Sequence, residues 1–151
     1  MHFIRNMKYL AAVFLFITLM PGCAINKATS NVDPSADLST LKAFHVEKYE
    51  KDTRDTNMVI ENKLREMGYQ VADTKTGVDA IVTYTDKWFW DITFYLLELN
   101  ISIREPGSGF PLASGNSIHS SLTRKSQEGM VDEVLTNIFF KDQKEGASDA
   151  K

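Results

Sequence analysis

The chain has 151 residues, of which 43% are hydrophobic, 25% charged and 11% aromatic, an ordinary composition for a globular protein. Its formal net charge of -3 and pI near 5.6 argue against an electrostatic nucleic-acid binder, which usually carries surplus basic residues. A single cysteine excludes an internal disulfide, and no Cys/His spacing resembles a zinc site, so we predict no metal and no cofactor.

The amino-terminal segment has the pattern of a secretory signal peptide. Arg5 and Lys8 precede the apolar run YLAAVFLFITL, and no acidic residue accompanies them. This run is shorter than the roughly 20 apolar residues that cross a bilayer, so a membrane-spanning anchor is the weaker interpretation. We therefore predict that residues 1–22 are a signal peptide, which starts at either Met1 or Met7.

Cys23 stands directly after the sequence LMPG, at the end of this signal. The arrangement resembles a bacterial lipobox, in which the cysteine begins the mature chain and carries a diacylglycerol thioether and an acylated amino group. Several acyl chains give a stable anchor, whereas one gives marginal binding. A buried thiol is the alternative, but the polar sequence after Cys23 offers it no core to join. By the same resemblance, Ala24 after the cysteine favours the outer membrane.

The mature chain is predicted to contain one folded domain between two irregular segments. Residues 23–38 are expected to be the lipidated amino terminus and a flexible tether, because NKATSNVDPSAD is small, polar and without an apolar period. An α+β domain is expected over residues 39–141, and a disordered tail over residues 142–151.

Apolar patterns divide this domain into elements in the order β-α-β-β-β-β-α. Ile60 and Leu64 share the apolar face of the first helix, which Gly68 is expected to terminate. The elements favour a two-layer α+β sandwich, with a mainly antiparallel sheet of four to five strands and two helices on one face. Strands are predicted over 41–50, 69–72, 80–90, 92–104 and 111–122, and helices over 52–69 and 126–141.

Four stretches carry a resemblance to a known family: DPSADLSTLKAFHV, LREMGYQVAD, VDAIVTYT and PLASGNSIHSSLTRKSQEGMVDEVLTNIF. Over roughly residues 33–140 the chain resembles uncharacterised bacterial lipoproteins that share a domain of unknown function. The resemblance implies a periplasm-facing α+β lipoprotein domain and supplies no agreed activity. More loosely, the layout is similar to lipoproteins that activate penicillin-binding proteins and to subunits of secretion pores, although fold alone does not assign function.

Few side chains suggest catalysis. His119 lies among serines, but no nucleophile elbow or oxyanion loop accompanies it, so a satisfied or surface histidine is the favoured interpretation. His45 alternates with apolar neighbours and is expected on the wet face of its strand. Asp86 and Asp91 flank an aromatic run and suit cation recognition, although solvated strand carboxylates are the simpler interpretation. We therefore predict that the protein is not an enzyme.

The run KWFWDITFYLL is the feature that a plain α+β domain does not explain. In a strand, Trp88 and Trp90 face one way and Phe89 the other, so a two-layer sheet does not cover every ring. Packing of Trp88 under a helix is the alternative for a single residue, whereas exposed aromatics mark contact surfaces. For the whole cluster there are two alternative interpretations, a surface that binds a partner protein and a surface that contacts the membrane interface. The candidate partner-binding residues are Trp88, Phe89, Trp90 and Phe94.

Two hypotheses of function follow from these patterns. The first is a lipid-anchored, non-enzymatic binding or scaffold domain on the periplasmic side of the outer membrane. It would meet an envelope protein through the aromatic run and an exposed strand edge. The second is an envelope hydrolase or glycan-binding module that stacks sugars on the aromatic cluster at residues 88–90.

Overall fold

The computed structural model describes residues 25–148, which form a sheet of six strands with two helices on one face. The predicted signal peptide and Cys23 lie outside the described residues. Two short 3-10 turns occupy Leu38–Thr40 and Ser121–Thr123. The strands are β1 (Asn26–Val32), β2 (Ala43–Val46), β3 (Gln70–Val71), β4 (Ala80–Asp91), β5 (Thr93–Arg104) and β6 (Pro111–His119), and the helices are α1 (Thr56–Glu66) and α2 (Gln127–Ser148).

The strands lie in the order β1-β6-β5-β4-β2-β3. Pairing is antiparallel from β1 through β4, whereas β2 runs parallel to both of its neighbours, β4 and β3. The predicted α+β sandwich with both helices on one face is confirmed. Its sheet is mixed and has six strands, in place of the four to five that the sequence predicted.

The segment predicted to be a flexible tether contains an edge strand, which corrects the prediction for residues 23–38. β1 pairs with β6 in unbroken register from Asn26 to Val32. Ala28 and Ser30 lie on the side of α2, and the Ser30 hydroxyl donates to the Asn137 carbonyl at 3.1 Å. Because these inward side chains are small, the strand has no apolar period that a sequence pattern reveals.

The second irregular segment also differs from its prediction. α2 continues to Ser148, past residue 142, where a disordered tail was expected to begin. Residues 149–151, the remainder of that predicted tail, lie outside the described residues.

Gly68 terminates α1 as predicted. Its φ of 92° is a left-handed conformation that glycine adopts without a steric penalty. The Tyr69 N–H donates to the Leu64 carbonyl and the Gly68 N–H to the Arg65 carbonyl, both at 3.0 Å. These two bonds form a Schellman motif, which satisfies carbonyls that the end of a helix otherwise leaves unpaired.

The core lies between the helices and one face of the sheet. Each large apolar side chain that is fully buried stabilises the fold by roughly 1.5–3 kcal/mol relative to its exposure. The opposite face of the sheet has no helix over it within the described residues. The core side chains are Phe44, Val46, Ala80, Val82, Tyr84, Leu96, Leu99, Ile101, Ile103 and Ala113 from the sheet, and Ile60, Leu64, Met130, Val131, Val134, Leu135 and Ile138 from the helices.

Gly115 in β6 allows α2 to pack closely on the sheet. A Cβ atom at this position would lie 2.7 Å from Val134 Cγ1 and 3.1 Å from Ile138 Cγ1. Both distances are shorter than a carbon–carbon van der Waals contact. A side chain at residue 115 would therefore displace α2 from the strand.

We expect Gly115→Val to lower the free energy of unfolding by about 1–3 kcal/mol, because overpacking separates α2 from β6. Urea denaturation followed by circular dichroism measures the change. Gly107→Ala is the matched control, since an added Cβ there meets nothing within 4 Å. It should change stability by less than about 0.5 kcal/mol. Equal losses in the two variants would contradict the packing role of Gly115.

Candidate functional site

β4 and β5 extend beyond the other strands as a two-stranded arm. β6 pairs with β5 only from Glu98 to Arg104, and β2 pairs with β4 only over residues 80–82. Residues 88–96 therefore form an arm, whose tip is Ile92 between the paired residues 91 and 93. A β-bulge between residues 87 and 88 marks its base. All four candidate aromatic residues lie on this arm.

Trp88 is fixed at the base of the arm and is half-buried against the core. Its indole N–H donates to Asp86 Oδ2 at 2.9 Å, and the Thr56 hydroxyl donates to the same oxygen at 2.7 Å. The Gln127 amide donates to the Thr56 hydroxyl at 2.7 Å. The Arg54 guanidinium lies 4.5 Å from the centroid of the indole ring. Because α1 begins at Thr56 and α2 at Gln127, the arm is tied to the beginnings of both helices.

The other three candidate aromatics are exposed. The exposed fractions are 51% for Phe89, 61% for Trp90 and 58% for Phe94. Trp90 pairs directly with Phe94 across the arm, so the two share a face with Trp88. Phe89 points to the opposite face, where it meets Tyr95 edge-on with ring centroids 6.0 Å apart. The four candidates thus divide into one structural residue and three that are available for contact.

Two arginines flank the arm. Arg54 lies over Phe94 at 4.6 Å as well as over the indole at the base. Arg124 lies over Tyr95 at 4.4 Å and donates to the Thr93 hydroxyl at 2.6 Å. Residues 94 and 95 point to opposite faces of the arm, so the arginines hold it from both sides.

Ile92 at the tip is an exposed apolar residue that the sequence interpretation missed. It is 86% exposed and has a φ of 63°, a left-handed conformation that is rare for a β-branched residue. The interpretation placed it at the start of a strand, because the tip contains none of the Gly, Asn or Pro residues that indicate a turn. Strain of this kind costs roughly 1–3 kcal/mol and persists only where surrounding contacts impose it.

Both aspartates considered for cation recognition bind protein donors instead. Asp86 accepts the two hydrogen bonds described at the base of the arm. Asp91 Oδ2 accepts from the Ser121 hydroxyl at 2.6 Å and lies 3.4 Å from Arg124 Nη2. Over the part of the chain that the structure describes, no group of three or more His, Cys, Asp or Glu side chains is arranged to hold a metal ion.

His119 is buried at the edge of α2, with both ring nitrogens engaged. Nε2 lies 2.9 Å from Glu133 Oε2, and Nδ1 lies 2.9 Å from the Thr123 carbonyl oxygen. Each ring nitrogen thus lies within hydrogen-bond distance of a protein oxygen atom. Burial acts to raise the pKa of Glu133, but hydrogen bonds from His119, Ser117 and Lys125 outweigh it and lower that pKa to about 2. This is a satisfied structural histidine.

The face of the sheet opposite the helices carries a polar groove of about 620 Å³. The Asn116 amide donates to Asn100 Oδ1 at 2.7 Å and to Glu98 Oε1 at 3.2 Å within this face. His45 lies on the same face, as expected, with Nδ1 3.0 Å from the Ala72 carbonyl oxygen. None of the four candidate aromatics lines the groove. Its hydroxyl and amide side chains are Thr29, Asn31, Thr83, Thr85, Asn100, Ser102, Ser114 and Asn116.

Solved structures of bacterial proteins have a similar fold. A point variant of PelC from Paraburkholderia phytofirmans, described as a dodecamer, is 12% identical with a TM-score of 0.55 and covers 74% of this chain and 96% of that one. The PelC dodecamer in another crystal form is 11% identical with a TM-score of 0.52, over 75% and 94% of the two chains.

A DUF4136 family protein from Bacteroides thetaiotaomicron is similar to the same degree. It is 10% identical with a TM-score of 0.52, over 79% of this chain and 96% of that one. Identities this low show the fold alone, and at that level they agree with the resemblance to a domain of unknown function. The sequence matches no protein-family model and no curated protein.

The two tryptophans of the arm should respond differently to truncation. We expect Trp88→Ala to lower the free energy of unfolding by about 2–3 kcal/mol, because it removes core packing and the bond to Asp86. Trp90→Ala is the matched control and should cost about 0.5 kcal/mol or less, since its ring is exposed. Chemical denaturation measures both. Similar losses of unfolding free energy in the two variants would show that Trp88 is not the structural residue of the pair.

Proposed function

We propose that this protein is a lipid-anchored domain of the cell envelope, which binds a partner protein without catalysis on the periplasmic side of the outer membrane. The signal-peptide pattern over residues 1–22 and the sequence LMPG before Cys23 support the anchor. The resemblance to lipoproteins supports the location. None of the helices described between residues 25 and 148 is both long and apolar enough to cross a membrane.

The binding role rests on the edge of β1, beside which no further strand lies among residues 25–148. This strand has seven residues, whereas β3 at the other edge of the sheet has two. Prolines, several charges or bulges usually protect such an edge, but β1 contains no proline, one charged residue (Lys27) and an unbroken register. An extended segment of a partner can add to an edge of this kind through backbone hydrogen bonds.

The backbone of β1 has an inner and an outer side. The Ser120 N–H donates to the Ile25 carbonyl at 3.0 Å, and the Asp33 N–H donates to the Leu112 carbonyl at 2.9 Å. Because hydrogen-bonded pairs alternate along an antiparallel ladder, the odd-numbered residues of β1 bond inward to β6. Ala28, in the middle of the strand, therefore presents its N–H outward.

The engaged state of the buried histidine supports a non-enzymatic role. The Ser117 hydroxyl donates to Glu133 Oε2 at 2.7 Å, so it does not point at a free base. Both ring nitrogens of His119 lie against protein oxygen atoms of Thr123 and Glu133, so the imidazole is engaged within the domain and does not face a nucleophilic side chain.

The alternative function is an envelope hydrolase or a glycan-binding module. The hydroxyl and amide side chains of the polar groove favour it, since these groups hydrogen-bond to sugars. The aromatic rings and the groove are separate, however, and this argues against the alternative. The rings lie on the arm, so a sugar bound in the groove would not stack on them.

If a partner strand adds to the edge of β1, a proline in this strand should weaken partner binding. Ala28→Pro removes an outward N–H and leaves the bonds between β1 and β6 intact, so the fold should survive with a loss of about 1 kcal/mol or less. Capture of an envelope protein by crosslinking in intact cells should fall about tenfold or more, because a backbone hydrogen bond is lost and the ring blocks the approach. The captured protein is identified by mass spectrometry.

Ala28→Ser is the matched control, because it changes the side chain and keeps the N–H. It should capture the same protein in the same amount. Unchanged capture by the proline variant would exclude the edge of β1 as the binding surface. Loss of glycan binding in Asn116→Ala, with protein capture unaltered in Ala28→Pro, would favour the alternative function.

A further inference from the structure

Most of the exposed apolar side chains lie at one end of the domain. Nine large hydrophobic residues are exposed within the described residues, and six of them come from the first described residue, the arm and the turn after β6. Their exposed fractions run from 51% to 86%. We call this surface the apolar end, and it comprises Ile25, Phe89, Trp90, Ile92, Phe94 and Leu122.

Hydrogen bonds bring the beginning of the described chain to the turn that contains Leu122. The Ile25 carbonyl accepts from the Ser120 N–H at 3.0 Å and from the Thr123 hydroxyl at 2.5 Å. The Ile25 N–H donates to the Ser120 hydroxyl at 3.1 Å. Ile25 is thus held against residues on both sides of Leu122.

The same turn is bonded to the tip of the arm. The Ser121 hydroxyl donates to Asp91 Oδ2 at 2.6 Å, and the Arg124 guanidinium donates to the Asp91 carbonyl at 2.8 Å and to the Thr93 hydroxyl at 2.6 Å. Asp91 and Thr93 are the neighbours of Ile92. Three segments that are distant in sequence therefore form one continuous surface.

The chain enters the described domain at this surface. Ile25 follows Cys23 by two residues. Since an extended chain spans at most about 3.3–3.6 Å per residue, the Cα atoms of these residues lie no more than about 7 Å apart. Acyl chains on Cys23 would therefore bring the apolar end to the lipid surface.

We propose that the apolar end is a second membrane contact, which enters the interface of the lipid layer that holds the acylated Cys23. The inference rests on the proposed lipid anchor. Exposed Trp and Phe side chains suit the boundary between headgroups and acyl chains. Arg54 lies over Phe94 of the apolar end, where its charge suits the phosphates of the headgroups, whereas Arg124 is paired with Asp91 beside the tip.

The arrangement of the tip favours lipid over a second copy of the chain. Phe89 and Trp90 point to opposite faces of the arm, and Ile92 extends from its end. Apolar side chains thus surround the tip instead of forming one flat face. A fluid apolar layer contacts such a tip on all sides, whereas a flat protein interface contacts one.

The fluorescence of Trp90 tests the inference in the acylated full-length protein, purified from membranes and reconstituted into phosphatidylethanolamine–phosphatidylglycerol vesicles. Trp88→Phe leaves Trp90 as the only tryptophan. Phospholipids brominated on their acyl chains should quench its emission about twofold or more, because interfacial side chains lie roughly 5–10 Å deep. If Trp88→Phe does not fold, the difference between the unaltered chain and Trp90→Phe isolates the same signal.

The control places the probe at the other end of the sheet. Phe110 is 46% exposed in the connection between β5 and β6, which is remote from the arm. In a chain with Trp88→Phe and Trp90→Phe, a Phe110→Trp probe should remain unquenched by brominated lipid and accessible to iodide. Quenching of this probe to the same extent would overturn the assignment of the apolar end.

Measurement of the acyl chains on every sample separates the two proposals. Protein without acyl chains on Cys23 would overturn the anchor and this inference together. Acylated protein whose Trp90 is quenched by iodide and not by brominated lipid would overturn the inference alone. Shielding of Trp90 from both quenchers, with crosslinks between copies at the arm, would assign the apolar end to an interface between copies and would also overturn it.

Discussion

The pairing of β1 with β6 determines where the chain enters the domain and which edge of the sheet is long. It runs without a break from Asn26 to Val32 and continues into the bonds between Ile25, Ser120 and Thr123. The chain therefore enters the domain at a fixed place, beside the turn that holds the arm. The same pairing makes β1 an edge whose outer backbone groups face away from the sheet. Both proposed contacts therefore depend on the pairing of β1 with β6: the partner strand would add to the outer side of β1, and the membrane would contact the end at which β1 begins.

The base of the arm is bonded to the helical layer. Asp86 accepts from Trp88 and from Thr56, and Gln127 donates to Thr56, so the starts of α1 and α2 both position the arm. The two bonds to the Asp86 carboxylate are charge-assisted and about twice as strong as neutral ones, and the neutral bond from Gln127 to Thr56 links α2 to the same site. A tip held in this way loses little conformational freedom when its exposed side chains are buried, which favours binding.

Sequence patterns predicted the elements whose apolar residues recur with a period. α1, with Ile60 and Leu64 on one face, and the long strand β5 are of this kind, and the alternation of Trp88, Phe89 and Trp90 was also predicted. β1 was missed because its inward residues are small and its pairing depends on β6, far along the chain. The exposure of the tip was unpredictable for a similar reason, since it depends on how far β6 and β2 extend beside the arm. Ile25 and Leu122 belong to the apolar end only because tertiary contacts bring their segments to the arm, so no local sequence pattern predicts their place in it.

Acylated Cys23, as proposed, holds the domain by the end where the aromatic arm projects. Mass spectrometry of the amino-terminal peptide tests this anchor on protein extracted from the membranes of the cells that make it. We predict a peptide that begins at Cys23 and carries a diacylglyceryl thioether and an acylated amino group. A peptide that continues from Gly22 into Cys23 with an unmodified thiol would contradict the claim.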